Sequence, residues 1–442
     1  MITKPRGTQD FLPEQTKIWA KVESHIRRIC SLYNFKEVRT PMFESSELFH
    51  RNQQDSSDMV TKETYDFMDR GNRGMTLRPE GTAPAVRAFI ENKMYAQRDV
   101  NKLFYIGPSF RYERPSLGRY RQFHQFGIEA LGSNSPLLDT ECIALAAAVI
   151  KGFGLTGVKV RLNTLGDEES RNAYKEALVS HFSKYEECMC EDCKNRLKKN
   201  PLRILDCKVD RDQEFFKSAP RIGAYLTENS KNHFNQVVES LKNLGIAYEI
   251  DETLVRGLDY YTYTVFEVEA DIKDFGAANV ICAGGRYNNL VKELGGPDTP
   301  AVGLAFGMER LIMALEAEGK LPYVDETTHI YFISLGDEAF KESSRLMNVC
   351  RMGGLKCEMD YNRGSLKSQF KKADNNQALF TCILGDNELN EFKINIKNNE
   401  TDEQDTISIN EVYPYVLNYI RSKTDKCHTC NKGNNKDEKS SN

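Results

Sequence analysis

Among 442 residues there is a single tryptophan, no run of about 18 apolar residues, and no apolar core behind the basic residues of the opening MITKPRGTQDFLPEQ. Without such a run no membrane-spanning helix is expected, and the opening does not read as a secretory leader. No sign of charge dominates. Sixty Lys and Arg against 64 Asp and Glu leave a formal net charge of −4, which argues against indiscriminate nucleic-acid binding but leaves room for a local basic surface. The 12 cysteines follow no regular framework. In a chain this long they fit a reducing cytosol better than a disulfide scaffold, so a cytoplasmic location is expected.

What is present is an ordinary globular balance, 40% hydrophobic and 28% charged, in a chain long enough for two or three domains. Within it, Leu103–Gly132 departs from ordinary surface sequence. LFYIGPSFRYE, a basic loop and FHQFGIEALG read as an antiparallel hairpin. By period-two alternation Phe104, Ile106, Phe110 and Tyr112 share one face, and Gly107, Ser109, Arg111 and Glu113 the other. On the second strand His124, Phe126, Ile128 and Ala130 oppose Phe123, Gln125, Gly127 and Glu129. One face suits a core. The other carries charges of both signs beside glycines, whose lack of a side chain leaves room for a ligand.

FRYERP and GRYRQFHQFGIEALG resemble the second signature motif of class II aminoacyl-tRNA synthetases in the form found in histidyl-tRNA synthetases. LVRGLDYYTYTVFEV resembles a segment peculiar to the histidine enzymes, and AGGRYNNLV and AVGLAFGMERLIMAL resemble the glycine-rich stretch and the third motif. PRGTQDFLPEQ, TPMFESSELF and TLRPEGTAPAVRAF fit the same pattern, so the likeness extends from Met1 to about Ile420. It implies an α+β catalytic domain on a mainly antiparallel sheet over 1–324, a helical insertion at about 167–250, and an α/β anticodon-binding domain over 325–422. The Lys-, Asn- and Ser-rich end, 423–442, reads as disordered.

The chemistry implied is attack of the histidine carboxylate on the α-phosphate of ATP, with Mg²⁺, followed by transfer of histidine to its tRNA. Two anions must meet, so fixed cations are the physical requirement. By resemblance Arg111 and Arg256 are the catalytic cations at the α-phosphate. Arg111, Glu113, Phe123 and Arg310 would hold ATP. Glu80, Gly81, Thr82 and Gln125 would bind the amino end of histidine beside Arg111 and Arg256. Glu129 and Tyr261, with Tyr260, would select the imidazole, because hydrogen bonds discriminate against analogues more sharply than methylene count does. Read alone, Tyr260 and Tyr261 could equally be core aromatics, and Arg310 a structural residue of its helix. For Arg256 and Tyr261 to reach one site, Gly257–Asp259 must turn.

Arg114, Arg119 and Arg121 on the hairpin loop are placed to touch a tRNA acceptor end. NRLKKNPLR in the insertion suits RNA or solvent equally, and Arg363, Lys367, Lys371 and Lys372 around one helix suit an anticodon. The Glu14–Tyr33 helix and RTPMFE match a family dimer interface, so a homodimer is expected. Cys188, Cys190, Cys193 and Cys207 invite a zinc reading, but C-x-C-x₂-C with one distant cysteine is not a pair of knuckles. No protein-only metal site is therefore expected there or at Cys427, His428 and Cys430. The rival reading is a catalytically inactive paralogue serving as a regulatory subunit of histidine biosynthesis. Such paralogues lack the C-terminal domain and erode the site residues, whereas this chain has both.

Overall fold

The computed structural model describes residues 1–50, 62–256, 260–270, 272 and 279–433, the last ten of these by backbone only. The chain divides into two compact units, one ending at Tyr323 and one beginning at Val324.

Among the described residues the first unit has eleven strands: β1 (Lys36–Glu37), β2 (Phe43–Ser45), β3 (Tyr65–Met68), β4 (Gly74–Leu77), β5 (Asn101–Phe110), β6 (Gln122–Leu131), β7 (Val158–Thr164), β8 (Tyr248–Ile250), β9 (Thr262–Ala270), β10 (Val280–Arg286) and β11 (Ala301–Gly307). Eight form one sheet in the order β1-β5-β6-β11-β10-β9-β7-β8, and β2-β4-β3 form a small second sheet. In the large sheet only β1–β5 and β7–β8 pair in parallel. The hairpin register sets Gly107 opposite Gln125, Tyr105 opposite Gly127 and Leu103 opposite Glu129.

Helices cover one face of this sheet. Pro13–Leu32 begins with proline in its first turn, where the missing N–H costs nothing, and with Glu14 beside the positive helix end. Its Val22 and Ile26 meet Phe126 and Ile128 of β6, together with Ile143 and Val149 of the helix Pro136–Gly152, in one fully buried cluster. Each large side chain buried here contributes roughly 1.5–3 kcal/mol. The opposite face is left for chemistry.

The insertion does not behave as one piece. Tyr174 to Ile222 make a core of their own. The helix Glu228–Asn243 instead sends Val237 and Leu241 into the main core, and β8 joins the edge of the large sheet. The charged sequence of this stretch hides those apolar positions, since only one stripe of the helix is buried.

Among the described residues one charged pair lies wholly inside the fold. Arg286, at the end of β10, and Asp139 are both fully buried. The guanidinium Nε donates to both carboxylate oxygens at 3.1 Å, and its other nitrogens donate to the carbonyls of Ser133 (2.8 Å) and Ser135 (3.1 Å). Burial opposes the charge of Asp139, yet Arg286 beside it holds the carboxyl below its ordinary range. Asn288 joins this corner by accepting from Arg286 and from the Ala301 amide, both at 3.3 Å.

In the second unit β12 (Thr328–Leu335), β13 (Cys357–Met359), β14 (Ala378–Gly385), β15 (Lys393–Asn398) and β16 (Gln404–Ser408) form a sheet in the order β13-β12-β14-β15-β16. The first three strands are parallel and the last two antiparallel. The helices Asp337–Met352 and Leu366–Asn375 connect the parallel strands. Of the basic residues around the latter, Arg363 pairs with Asp337 and lies over the Phe340 ring at 4.2 Å, and Lys372 pairs with Asp360 at 2.6 Å. The final helix, Val412–Gly433, continues eleven residues past 422. Its polar composition has no apolar stripe to signal a helix, which is why the sequence reads as disorder there. Residues 434–442 and the side chains of Cys427, His428 and Cys430 lie outside the described ones.

Candidate active site

A cleft of about 640 Å³ opens on the sheet face that the helices leave bare. β5 and β6 form one wall, β9–β11 the floor, and the start of the helix Thr82–Glu91 one end. Period-two alternation accounts for the choice of residues, since apolar neighbours on the same strands face the core.

Behind one end of the cleft Glu129 is fully buried; it does not line the cavity itself, but Tyr105 and Tyr287, which hold it, do. It accepts from the Tyr105 hydroxyl at 3.0 Å and from the Tyr287 hydroxyl in a shorter contact. Burial pushes its carboxyl up to about 8, with Glu80 adding to the rise, while the hydroxyls of Tyr287, Thr82 and Tyr105 restrain it. Next to it the Tyr260 hydroxyl donates to Glu80 at 3.0 Å. Tyr260 and Tyr261 stand with ring centroids 4.9 Å apart, and Tyr260 meets Tyr287 edge-on at 5.7 Å. Burial raises the Tyr261 phenol to about 12, so it stays a hydrogen-bond donor at neutral pH. Ser109 donates to Gln125 at 3.1 Å, fixing that amide at the cleft wall.

The glycines around this end make room, but not for a ligand. A Cβ on Gly127 would lie 2.3 Å from the Tyr105 oxygen, and one on Gly81 2.0 Å from the Tyr105 ring. At Gly107 the space is taken by Arg78, and at Gly285 by the Thr264 carbonyl and Tyr261. The glycines let tyrosines and an arginine of the protein approach the backbone, which alternation alone does not reveal. Thr82 is the first residue of its helix, with Gly81 at the cap position. Its hydroxyl points to Glu129 and Tyr105.

The other end is cationic and more open. The Arg111 Nε donates to the Pro79 carbonyl at 2.9 Å, and its guanidinium lies 5.2 Å from the Phe123 ring centroid. Arg310 lies in the first turn of the helix Met308–Ala317 and donates to the Val280 carbonyl at 3.0 Å. Burial, with Arg119 and Arg111 nearby, lowers its pKa. Arg256 pairs with Glu267, and its side chain is 22% exposed. Its buried Nε has no hydrogen-bond partner among the described residues. Burial works against its charge, but Glu267 and Tyr261 outweigh it, so the pKa is raised. Both Arg256 and Tyr261 line the cleft. The turn expected of residues 257–259 falls outside the described residues.

Of the loop arginines, Arg119 lines the cleft and pairs with Glu113 at 3.2 Å, Arg121 stacks over Tyr112 at 4.0 Å, and Arg114 is exposed. The cleft also brings in residues that the sequence reading passes over. Tyr105 shares the hairpin face of Gly107 and Tyr287 closes the GGRY stretch, so position and motif could have named both. Glu309 binds the His124 amide at 2.9 Å and the His124 ring at 3.0 Å. Glu267 bridges Arg256 and Arg161. These two carboxylates look like ordinary strand and helix charges until the fold places them.

Comparison with known proteins identifies the family. The family model for histidyl-tRNA synthetase matches residues 7–311, and an anticodon binding domain model matches residues 329–419. A histidine–tRNA ligase of Anoxybacillus flavithermus is 50% identical over 418 residues, 94% of this chain and 99% of that protein. The histidine–tRNA ligase of Bacillus subtilis is 50% identical over 408 residues, covering 92% and 96%. Among solved structures, apo S. aureus histidyl-tRNA synthetase superposes with a TM-score of 0.81 at 41% identity, over 94% of this chain and 100% of that one. On the family match and the full-length relatives together, the chain belongs to the histidyl-tRNA synthetase family.

Proposed function

We propose that the protein is a histidine–tRNA ligase that activates histidine with ATP, releasing pyrophosphate, and then passes the histidyl group to the 3′ hydroxyl of its tRNA, releasing AMP. The observation that carries this reading is the closed end of the cleft. A buried carboxylate raised to about 8, flanked by phenols, suits a ring that donates from one nitrogen and can take up a proton. Glu129 and Tyr261 contact the imidazole, while Glu80, Thr82 and Gln125 receive the α-amino group, with Tyr260 orienting Glu80. A carboxylate oxygen of histidine attacks the α-phosphorus as the bond to pyrophosphate breaks. Arg111 and Arg256 face the oxygens where charge gathers, and no covalent protein intermediate is required. Arg310, Phe123 and Glu113 hold the nucleotide. Mg²⁺ would neutralise phosphate charge there, and Glu113, Glu267 and Glu309, all lining the cleft, are oxygen donors of the kind it takes.

Arg114, Arg119 and Arg121 lie at or near the open rim, where a tRNA acceptor end would enter, and the second unit would grip the anticodon. A homodimer is supported by Met42, Phe43, Phe67 and Met68, all exposed on or beside the small sheet, a surface that costs free energy to leave in water. A cytoplasmic location follows from this role, and no described helix is long and apolar enough to cross a membrane. A regulatory paralogue would need neither the arginines nor the second unit. The test is ATP–pyrophosphate exchange with each amino acid in turn. Exchange supported by histidine alone is expected, and exchange absent with histidine would refute the reading.

A further inference from the structure

The insertion holds a second cluster of reactive side chains that the cleft does not use. Cys190, Cys193, Cys207 and Asp210 converge so that their ligand atoms all lie within 4.8 Å of one another. The sequence reading counted Cys188 as the fourth member, but that residue is exposed and outside the cluster. With Asp210 in its place the pattern becomes two C-x₂-ligand pairs, 190/193 and 207/210. That is the pair of knuckles the cysteines alone did not make.

We propose that these four side chains form a structural Zn²⁺ site. Zinc bound to sulfur at about 2.3 Å in a tetrahedron sets its sulfurs about 3.8 Å apart, and the Cys190 and Cys207 sulfurs are 3.7 Å apart. Cys193, Cys207 and Asp210 are buried. A carboxylate buried among three thiols is costly for a purely apolar core but natural for a cation site. The backbone also points inward: the Asp210 amide donates to the Cys207 sulfur at 3.3 Å, and the Cys190 amide to the Asp210 carboxylate at 3.1 Å. Such outer contacts orient ligands and stabilise thiolates. Lys194, Lys208 and Arg211 each directly follow a ligand, offsetting the negative charge of three thiolates and a carboxylate around one dication.

The site has a structural use. The core of this part of the insertion is small, and small cores commonly rely on a metal or disulfide. The loop between and around the ligands also reaches the cleft. Lys208 and Arg211 line the main cavity, and Leu202 and Arg203 line a small adjoining cavity with Arg256 and Tyr261. Zinc would therefore fasten the loop behind the proposed catalytic arginine.

Three measurements on the reduced full-length chain test this. Elemental analysis should find about one zinc per chain, and mercurial titration of the thiols should release it into a chromogenic chelator. X-ray absorption at the zinc edge should show three sulfur neighbours and one oxygen. Cys193→Ser and Asp210→Asn should each lower the zinc content, whereas Cys188→Ser should keep it. If a variant fails to fold, release and absorption from the unsubstituted chain still decide. A chain that takes up no zinc, a Cys190–Cys207 disulfide in its place, or zinc lost on Cys188→Ser but kept on Asp210→Asn would overturn the proposal. None of these readouts depends on aminoacylation, so the metal site and the proposed activity can fail separately.

Discussion

Behind one end of the cleft Glu129 is sealed from water and held by two phenols that line it, while at the other Glu113 pairs with the exposed Arg119. Both ends use carboxylates, yet they differ in what water can do. Where water is excluded, each hydrogen bond is strong and each unpaired group costly, so geometry selects one ligand. Where water enters, charges are screened and interchangeable, which suits a polyanion that must arrive and leave. On the proposed function, specificity and capture would then fall to opposite ends of one cavity.

Arg256 lines the same cleft, and its removal should have the largest effect. Arg256→Ala is expected to lower the single-turnover rate of histidyl-adenylate formation by about 10²–10³, the usual consequence of losing a preorganised donor. Equilibrium binding of histidine should change little, because the proposed contacts to its ring and amine come from other residues. A normal rate in the variant would remove Arg256 from the chemistry.

Glu129→Ala should come next. It leaves the Tyr105 and Tyr287 hydroxyls without their acceptor, and kcat/KM for histidine should fall on the order of 10²-fold. The KM for ATP should barely move, and equal losses for both substrates in exchange kinetics would erase the division between the two ends.

The same residue gives a smaller, pH-dependent effect. Its folded pKa of about 8 lies above the ordinary value of 4.5, so the folded chain binds the proton more tightly than the unfolded one. Glu129 therefore costs no stability below about pH 4.5, costs progressively more as pH rises toward 8, and adds nothing further above that. Against Glu129→Gln, the melting temperature of the parent should decline over that window. Parallel profiles from pH 5 to 8.5 would mean that Glu129 is not held neutral by its burial.

The smallest effect belongs to the rim. Arg119→Ala removes one exposed ion pair, worth about 0.2–1 kcal/mol, so tRNA charging should weaken only a few-fold, and more at low salt than at high. A loss as large as that of Arg256 would show that the rim is as closed as the other end.

Much of this was legible in the residues. Alternation on the hairpin separated Phe126 and Ile128 from Gln125 and Glu129, and the motifs brought Glu80, Arg111, Arg256, Tyr261 and Arg310 to one cleft. What escaped shares a physical cause. Tyr105 and Tyr287 acquire their meaning from a third strand that brings a carboxylate to them. Gly127, read as space for a ligand, turned out to be space for Tyr105, and Gly107 space for Arg78, because contact across strands has no signature along one strand. Asp210 was overlooked because aspartate is common on surfaces, and only folding put it among thiols.

The buried pair of Arg286 and Asp139 touches neither end of the cleft, yet Arg286 is the residue before Tyr287. Removing either partner would strand a charge inside the protein, a penalty of about 3–5 kcal/mol, comparable to much of a domain's net stability. In a cell such a change would appear as scarcity rather than slowness, since chaperones and proteases would clear most copies while the survivors turned over normally. Growth defects mapped to these two positions would then be relieved by raising gene dosage, whereas those mapped to Arg256 would not.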